Sequence, residues 1–450
     1  MHLIKKGVSM KFTFKGGVHP PSSKGLTKDL PIKVLKAPEK VIVSLRQHIG
    51  APCEAVVSVG DAVKKGQVIG KSDAFVSAPV HSPVSGKVIG IEAYFHPSGV
   101  KTPAVIIEND FLDEWDPEIK PIGDYNSLSN EEIRAAVKNA GIVGMGGATF
   151  PTHVKITPPP DKEVKYIIVN GAECEPYLTN DYRAMLEYPE EIIYGLKAVM
   201  KLFDLKVGYI GIEDNKPEGI KRVKEALKGD ESIKVCVLKA KYPQGSEKHL
   251  IKAITKKEVP SGKLPVDVGA IVINVDTAVS IANTLKTGRP VVDRVVTVTG
   301  DGVNSPCNLR VSVGTPFSEL IKEAGGLKDN VKKLISGGPM MGSCQFSLET
   351  PVIKGTSGLL ALTPQLINDK KELSCIRCGK CVEACPMGLM PLYISAYSKK
   401  EDYENMKKYN ILDCIECGSC SFVCPSFKNP VEYIRVGKAK LQLQSKKEGK

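Results

Sequence analysis

Cys375-Ile376-Arg377-Cys378-Gly379-Lys380-Cys381-Val382-Glu383-Ala384-Cys385-Pro386 returns, 39 positions on, as Cys414-Ile415-Glu416-Cys417-Gly418-Ser419-Cys420-Ser421-Phe422-Val423-Cys424-Pro425. Each run sets three cysteines two residues apart and a fourth just before a proline. A cubane iron–sulfur cluster takes four thiolates. The tight wrap supplies three, and the cysteine before proline turns away to serve the other cluster. The spacing therefore predicts two [4Fe–4S] clusters. One falls on Cys375, Cys378, Cys381 and Cys424, the other on Cys414, Cys417, Cys420 and Cys385. Zinc also takes four ligands, but it does not call for the Cys-Pro tail twice. Two clusters in one chain make a wire for electrons, which needs a source and a sink.

A chain of 450 residues suggests about three domains, or more if they are small. Hydrophobic content of 42% and charged content of 25% are those of a soluble globular protein. The opening MHLIKKGVSMKF lacks an apolar signal core, so disulfides are not expected. No apolar run reaches the roughly 18 residues of a membrane span. The chain is expected in the cytosol, or on a membrane through partners.

The formal charge of +12 is no nucleic-acid signal. Two oxidised clusters and a flavin phosphate, at about −2 each, bring it to about +6. The single tryptophan and the lack of aromatics among basic runs leave nothing to stack bases. Residues 436–450, with Lys438, Lys440, Lys446, Lys447 and Lys450, read as a solvated basic tail. Cys53, Cys174, Cys236, Cys307 and Cys344 are scattered and read as small buried hydrophobes, with Cys174 singled out by its setting.

Residues 1–33, with Gly16-Gly17-Val18-His19-Pro20-Pro21, read as an extended arm. Over 34–112 short alternating strands and turns follow, in Val59–Gln67 and Ala78–Val88. This stretch resembles the biotinyl/lipoyl carrier fold, a barrel-sandwich. The hairpin tip reads Ser72-Asp73-Ala74-Phe75, with Ala74 where a carrier has its modified lysine, so a docking module without attached cofactor is expected. Over 125–290 strands alternate with amphipathic helices, a Rossmann-like α/β domain on a mainly parallel sheet. Ser129 and Glu132 form a capping box. Residues 291–346 read as a β-grasp module and 366–435 as an all-helical two-cluster domain.

Two segments of the α/β domain bear on the source of electrons. In Gly144-Met145-Gly146-Gly147-Ala148-Thr149-Phe150-Pro151-Thr152-His153-Val154-Lys155 the glycines let backbone N–H groups approach a ring or a phosphate, and Lys155 adds a cation. In Tyr166-Ile167-Ile168-Val169-Asn170-Gly171-Ala172-Glu173-Cys174-Glu175-Pro176 a buried strand ends in an amide and two carboxylates, where open α/β sheets bind ligands.

Together these segments resemble the FMN- and NADH-binding flavoprotein subunit of respiratory complex I. The likeness continues through Tyr242–Glu247 and Asn274–Thr277. With the Gly16–Pro21 arm, the barrel and Gly337-Gly338-Pro339-Met340-Met341-Gly342, the chain resembles the C subunit of the Rnf electron-transport complex. A cobalamin reductase of microcompartments shares these parts but carries the barrel at the other end.

The resemblance implies FMN at Gly144, Gly146, Gly147, Lys155, Asn170 and Asn274, with Thr277 toward the phosphate. It puts Glu173 and Glu175 near the nicotinamide as catalytic candidates, with Phe150 and Glu247 lining the nucleotide pocket. It implies reversible hydride exchange between NAD(H) and FMN, then single-electron transfer through two [4Fe–4S] clusters to partner subunits, an iron–sulfur subunit among them. The chain would sit peripherally on the cytoplasmic face of a membrane complex that translocates ions. The alternatives are a cobalamin reductase and an electron-wire subunit with no substrate of its own.

Overall fold

The computed structural model describes residues 12–367 and 369–448. Residues 1–11 of the expected arm lie outside them. The rest of the arm is built into the protein. Phe12 bridges to Leu238 and Val18 to Tyr242, and β1 (Ile32–Val34) joins a sheet far along the chain.

The barrel-sandwich follows. Strands β2 (Lys40–Ser44), β4 (Ala62–Val63), β7 (Gly86–Phe95) and β8 (Lys101–Asn109) form one antiparallel sheet. Strands β3 (Glu54–Ala55), β5 (Val68–Lys71) and β6 (Val80–His81) form the other. Val41, Val43, Ile69, Val88 and Ile107 fill the space between them. Strand β2 is apolar on both faces because its outer side also packs, and Ile42 N donates to Gly314 O at 2.8 Å. Ala74 lies exposed between β5 and β6.

Helices α1 (Asn130–Asn139), α2 (Thr152–Lys155), α3 (Asn180–Glu187), α4 (Pro189–Lys201), α5 (Pro217–Ala226), α6 (Glu247–Thr255) and α7 (Val275–Thr287) surround a parallel sheet. Its strands are β9 (Tyr166–Gly171), β10 (Gly208–Glu213), β11 (Ile233–Leu238) and β12 (Ala270–Asn274), in the order β11-β10-β9-β12. The apolar run of β9 is buried on both faces, as a parallel sheet requires. Ile167 and Val169 face the core under α4 and α7, and Ile168 faces Leu250 and Ile251 of α6. Ser129 makes the expected capping box with Glu132. From β9 the chain steps outward to β11, then returns to lay β12 on the other side of β9. The crevice at this reversal is where ligands bind in such sheets.

The β-grasp sheet runs β1-β14-β13-β17-β15-β16, from β13 (Asp293–Thr299), β14 (Cys307–Ser312), β15 (Lys333–Ser336), β16 (Ser343–Gln345) and β17 (Gly358–Leu362), with α8 (Phe317–Glu323) packed on it. The sheet also takes in strands from outside 291–346. Strand β17 lies fully buried between β13 and β15, and the arm contributes β1.

The cluster domain is helical: α9 (Lys380–Glu383), α10 (Pro391–Lys400), α11 (Tyr403–Lys408), α12 (Ser419–Phe422) and α13 (Pro430–Glu448). The expected tail from 436 is instead the second half of α13. Ile434 and Leu441, two turns apart, pack against Ile394 and Met406. Lys438 Nζ donates to Cys414 O at 2.7 Å, and Lys440 pairs with Glu401. The side chains of Lys446, Lys447 and Lys450 lie outside the described part.

One buried lysine joins three of these units. Lys354, 1% exposed, donates from Nζ to Pro79 O of the barrel (3.0 Å) and to Gly141 O of the α/β domain (2.7 Å). Its own N–H donates to Gln47 Oε1 at 2.8 Å. Burial pushes the amine down to about 7 from its usual 10.5, and the adjacent His81 is pushed down to about 3. Between pH 7 and 10.5 the unfolded chain holds more protons at this site than the native one. Stability therefore rises with pH across that window. Thermal unfolding midpoints of the wild type should gain on those of Lys354→Met from pH 6.5 to 9.5. Parallel curves would contradict the assignment.

Candidate functional site

Strands β9 and β12 pair in parallel with Asn170 opposite Asn274, so the two amides stand side by side at the mouth of the crevice. Asn170 Nδ2 donates to Gly245 O (2.8 Å), and its Oδ1 accepts from Ala172 N (3.2 Å). Asn274 caps α7: its Oδ1 accepts from Asp276 N, and its Nδ2 donates to Asp181 Oδ2, both at 2.8 Å.

The glycine loop lies over this helix end. It closes on itself where Gly144 N donates to Phe150 O at 2.9 Å. Thr277, the residue expected to face a phosphate, is 1% exposed and holds the loop instead. Its hydroxyl donates to Val143 O (3.2 Å) and accepts from Met145 N (3.1 Å). A Cβ on Gly146 would come within 2.5 Å of Asn274 Nδ2. That glycine is thus needed first for the loop's approach to α7. A Cβ on Gly147 would meet nothing within 4 Å, so its backbone borders open space. Lys155 Nζ donates to Glu247 Oε1 (2.8 Å) and Val272 O (2.9 Å), and Phe150 is half-buried nearby in sequence.

The two carboxylates are less free than their sequence position suggests. Glu173 accepts from Asp181 N (2.7 Å) and Tyr182 N (3.2 Å) at the start of α3, and from Lys24 Nζ of the arm (3.2 Å). Lys24 also donates to the carbonyls of Glu175 and Leu178. Glu175 accepts from Met340 N (3.1 Å) and Met341 N (2.9 Å). Gly338 permits this approach, since a Cβ there would stand 2.2 Å from Glu175 Oε2. Burial pushes the Glu175 carboxyl up to about 7. Both carboxylates expected near the nicotinamide thus already have partners within the protein. Glu173 is committed to α3 and the arm, and Glu175 to the seam with the 337–342 loop.

Sequence reasoning missed Lys24, Asp181, Lys216 and Arg294. Each is a charged group buried by contacts from a distant segment. Burial pushes the Asp181 carboxyl well up, with Glu173 and Asp276 adding repulsion. No local pattern marks any of the four.

The cysteines gather as the spacing predicts. Cys385, Cys414, Cys417 and Cys420 line one cavity, walled by Leu389, Ile394, Ile415, Val431 and Ile434. Cys375 and Cys424 both lie near enough to Cys381 to help raise its thiol, after burial. The cysteine before each proline thus sits with the other run. Backbone N–H groups of Leu389 and Glu416 point at the sulfurs of Cys385 and Cys414, both at 3.4 Å. Burial pushes the Cys414 thiol up to about 11 and Cys420 to about 12. Thiolates at these positions require the positive charge of bound iron. Among the described residues no group of three or more His, Cys, Asp or Glu closes on a single-ion site. The four cysteines line the same apolar cavity.

This cavity abuts the α/β domain. Tyr242 OH donates to Cys417 O (2.7 Å), His249 Nε2 to Pro386 O (3.0 Å), and Gly17 N of the arm to Ala384 O (2.9 Å). Cys174 accepts from Gly245 N at 3.3 Å beside this seam. Cys375 and Cys378 are exposed on the outer side.

Four family models match in series. They are the RnfC barrel sandwich hybrid domain over 12–112, the Nuo51 FMN-binding domain over 137–283, the SLBB domain over 295–343 and a 4Fe-4S dicluster domain over 366–433. The C subunit of the proton-translocating ferredoxin:NAD(+) oxidoreductase complex of Clostridium ljungdahlii is 50% identical over 97% of this chain and 95% of its own length. The C subunit of the Na(+)-translocating ferredoxin:NAD(+) oxidoreductase complex of Acetobacterium woodii is 48% identical over 97% and 98%. The C subunit of the ion-translocating oxidoreductase complex of Rhodobacter capsulatus is 41% identical over 89% and 78%. Among solved structures, a chain of an NAD+-reducing [NiFe]-hydrogenase shares the fold with a TM-score of 0.50 at 17% identity, over 71% of this chain and 64% of that one. The chain belongs to the family of C subunits of the ion-translocating ferredoxin:NAD+ oxidoreductase, or Rnf, complexes.

Proposed function

We propose that this chain is the NAD(H)-reacting subunit of a membrane-associated, ion-translocating electron-transfer complex. It exchanges hydride with the nicotinamide at the β9–β12 crevice and delivers electrons singly to partner subunits. The observation that carries this reading is that the crevice and the Cys385–Cys414–Cys417–Cys420 cavity share one seam, at Tyr242 and His249. When bound, FMN takes an electron pair and releases it one electron at a time, and the clusters carry single electrons.

The residues divide the work as follows. The loop at Gly144, Gly146 and Gly147, with Asn170, Asn274 and the N-terminus of α7, would hold FMN, the helix end suiting its phosphate. Thr277 positions the loop. Lys155 and Glu247, both partly exposed, and Phe150 would face the nucleotide. Glu173 positions α3, and Glu175 borders the nicotinamide side. Cys385, Cys414, Cys417 and Cys420 would hold the cluster nearer the crevice, where it would supply one-electron acceptance. Cys375, Cys378, Cys381 and Cys424 would hold the other, and the exposure of Cys375 and Cys378 suits contact with an iron–sulfur partner. Among the described residues no helix is long and apolar enough to cross a membrane, so ion translocation falls to other subunits. The chain binds peripherally, on the cytoplasmic face where NAD(H) is available.

The purified, anaerobically reconstituted chain should reduce an artificial dye with NADH, and a chain that only relays electrons would not. Gly146→Val should displace Asn274, uncap α7 and expel FMN while iron content stays at about eight per chain. A full equivalent of flavin in that variant would refute the loop assignment.

Glu175→Gln should keep flavin and iron yet lower kcat/KM for NADH about tenfold, as expected for weakening one charge-assisted hydrogen bond. Unchanged kinetics would remove Glu175 from the site.

Cys385→Ser should spoil the inner cluster, and Cys424→Ser the outer one, as read by electron paramagnetic resonance. Damage to the nearer run in each case would disprove the crossing.

A further inference from the structure

The β-grasp module packs against the back of the glycine loop and places two buried hydrogen-bond donors on it, Arg294 and Lys354. Arg294, on β13, is 2% exposed. Its Nη1 donates to Asp276 Oδ2 in the first turn of α7 at 2.7 Å, and its Nη2 to Met145 O of the loop at 3.1 Å. Its Nε meets no partner among the described residues. At the other end of the loop, Lys354 Nζ holds Gly141 O at 2.7 Å. Next to it, Gly355 seats Thr149, where a Cβ would come within 2.2 Å of Thr149 Cγ2. Thr149 itself has φ 53°, a left-handed backbone that needs such support.

The loop is thus held from one side by Thr277 of its own domain and from the other by a second domain. The module's grips fall at residues 141, 145 and 149, spanning the glycines. A Gly-rich loop loses more conformational entropy than any other when it takes one shape. Grips that pre-form it lower the cost of binding what it holds.

We propose that the β-grasp module is a brace for the flavin loop, with Arg294 and Lys354 as positioning residues that set how tightly flavin is held. This rests on the reading that the glycine loop holds FMN. Neither residue is assigned a direct contact with flavin or nucleotide. Arg294 acts through Met145 and Asp276, and Lys354 through Gly141.

Arg294 also lines a cleft of about 270 Å³ with Trp115, Ser280, Asn283, Arg289 and Arg310. That cleft makes a chemical-rescue test feasible, because a small cation can enter where the side chain was removed. FMN dissociation from the reconstituted holoprotein is followed by flavin fluorescence for wild type, Arg294→Ala, Arg294→Lys and Lys354→Met. Arg294→Ala should release FMN about tenfold more readily, with iron content unchanged, since the cluster domain does not touch this residue. Millimolar guanidinium, against sodium chloride of equal ionic strength, should restore much of the lost affinity. Arg294→Lys should fall between wild type and Arg294→Ala, and Lys354→Met should weaken FMN in the same direction.

Unchanged FMN release in both Arg294→Ala and Lys354→Met overturns the brace. So does a loss in Arg294→Ala that neither guanidinium nor lysine relieves, since that marks a general defect of packing. A wild-type chain that takes up no FMN at all fails the functional reading itself and is told apart on that ground.

Discussion

The switch in strand order at β9, with β10 on one side and β12 on the other, is the constraint on which the site depends. Strands laid to one side of β9 and then to the other leave a cleft that no crossover helix covers. The register of the pair brings Asn170 and Asn274 level at that cleft. Helix α7 must start there because β12 ends there, so a helix N-terminus, a capping amide and the glycine loop converge without any long-range sequence signal. The arm, the β-grasp module and the cluster domain then close in around the same opening.

The charge balance takes on a structural meaning in this arrangement. Several buried or half-buried basic side chains are turned inward, onto main-chain oxygens. Lys24 holds the carbonyls of Glu175 and Leu178, Lys216 that of Ala172, Lys354 those of Pro79 and Gly141, Arg294 that of Met145, and Lys438 that of Cys414. Strand ends and loops present carbonyls that no ladder satisfies, and leaving them buried and unpaired would cost about 1–3 kcal/mol each. Long flexible amines reach them across module boundaries. A basic composition here reflects how the modules are joined, and needs no polyanionic partner to account for it.

Whatever depended on local spacing was legible in advance. The two cysteine runs pointed to a dicluster domain, which the matching 4Fe-4S dicluster model bears out, and their spacing put Cys385 with the second run, whose three inner cysteines line one cavity with it. The Ser129 capping box and the apolar runs of β9 to β12 were equally plain, because caps and buried strands are written within a few residues. Contacts between remote segments were not legible. Lys24 looks like any exposed lysine until Glu173 is brought to it, and β17 looks like a loop-borne apolar run until β13 and β15 flank it. The C-terminal lysines misled for the opposite reason. A helix with few apolar residues reads as a tail, although Ile434 and Leu441 suffice to dock it.

The unequal shelter of the two cysteine sets has a consequence for life in air. Cys414, Cys417, Cys420 and Cys385 sit behind leucine, isoleucine and valine, whereas Cys375 and Cys378 lie open to solvent. Exposed iron–sulfur edges are the ones that dissolved oxygen and peroxide reach first. Oxidative damage would therefore begin at the exit, cutting the chain off from its partner while the entrance still accepts reducing equivalents. A protein so wounded would have no outlet except oxygen itself, and would turn from an energy-conserving component into a source of superoxide. An outer cluster held by Cys375 and Cys378 would thus be the more open to oxidants wherever no partner covers it.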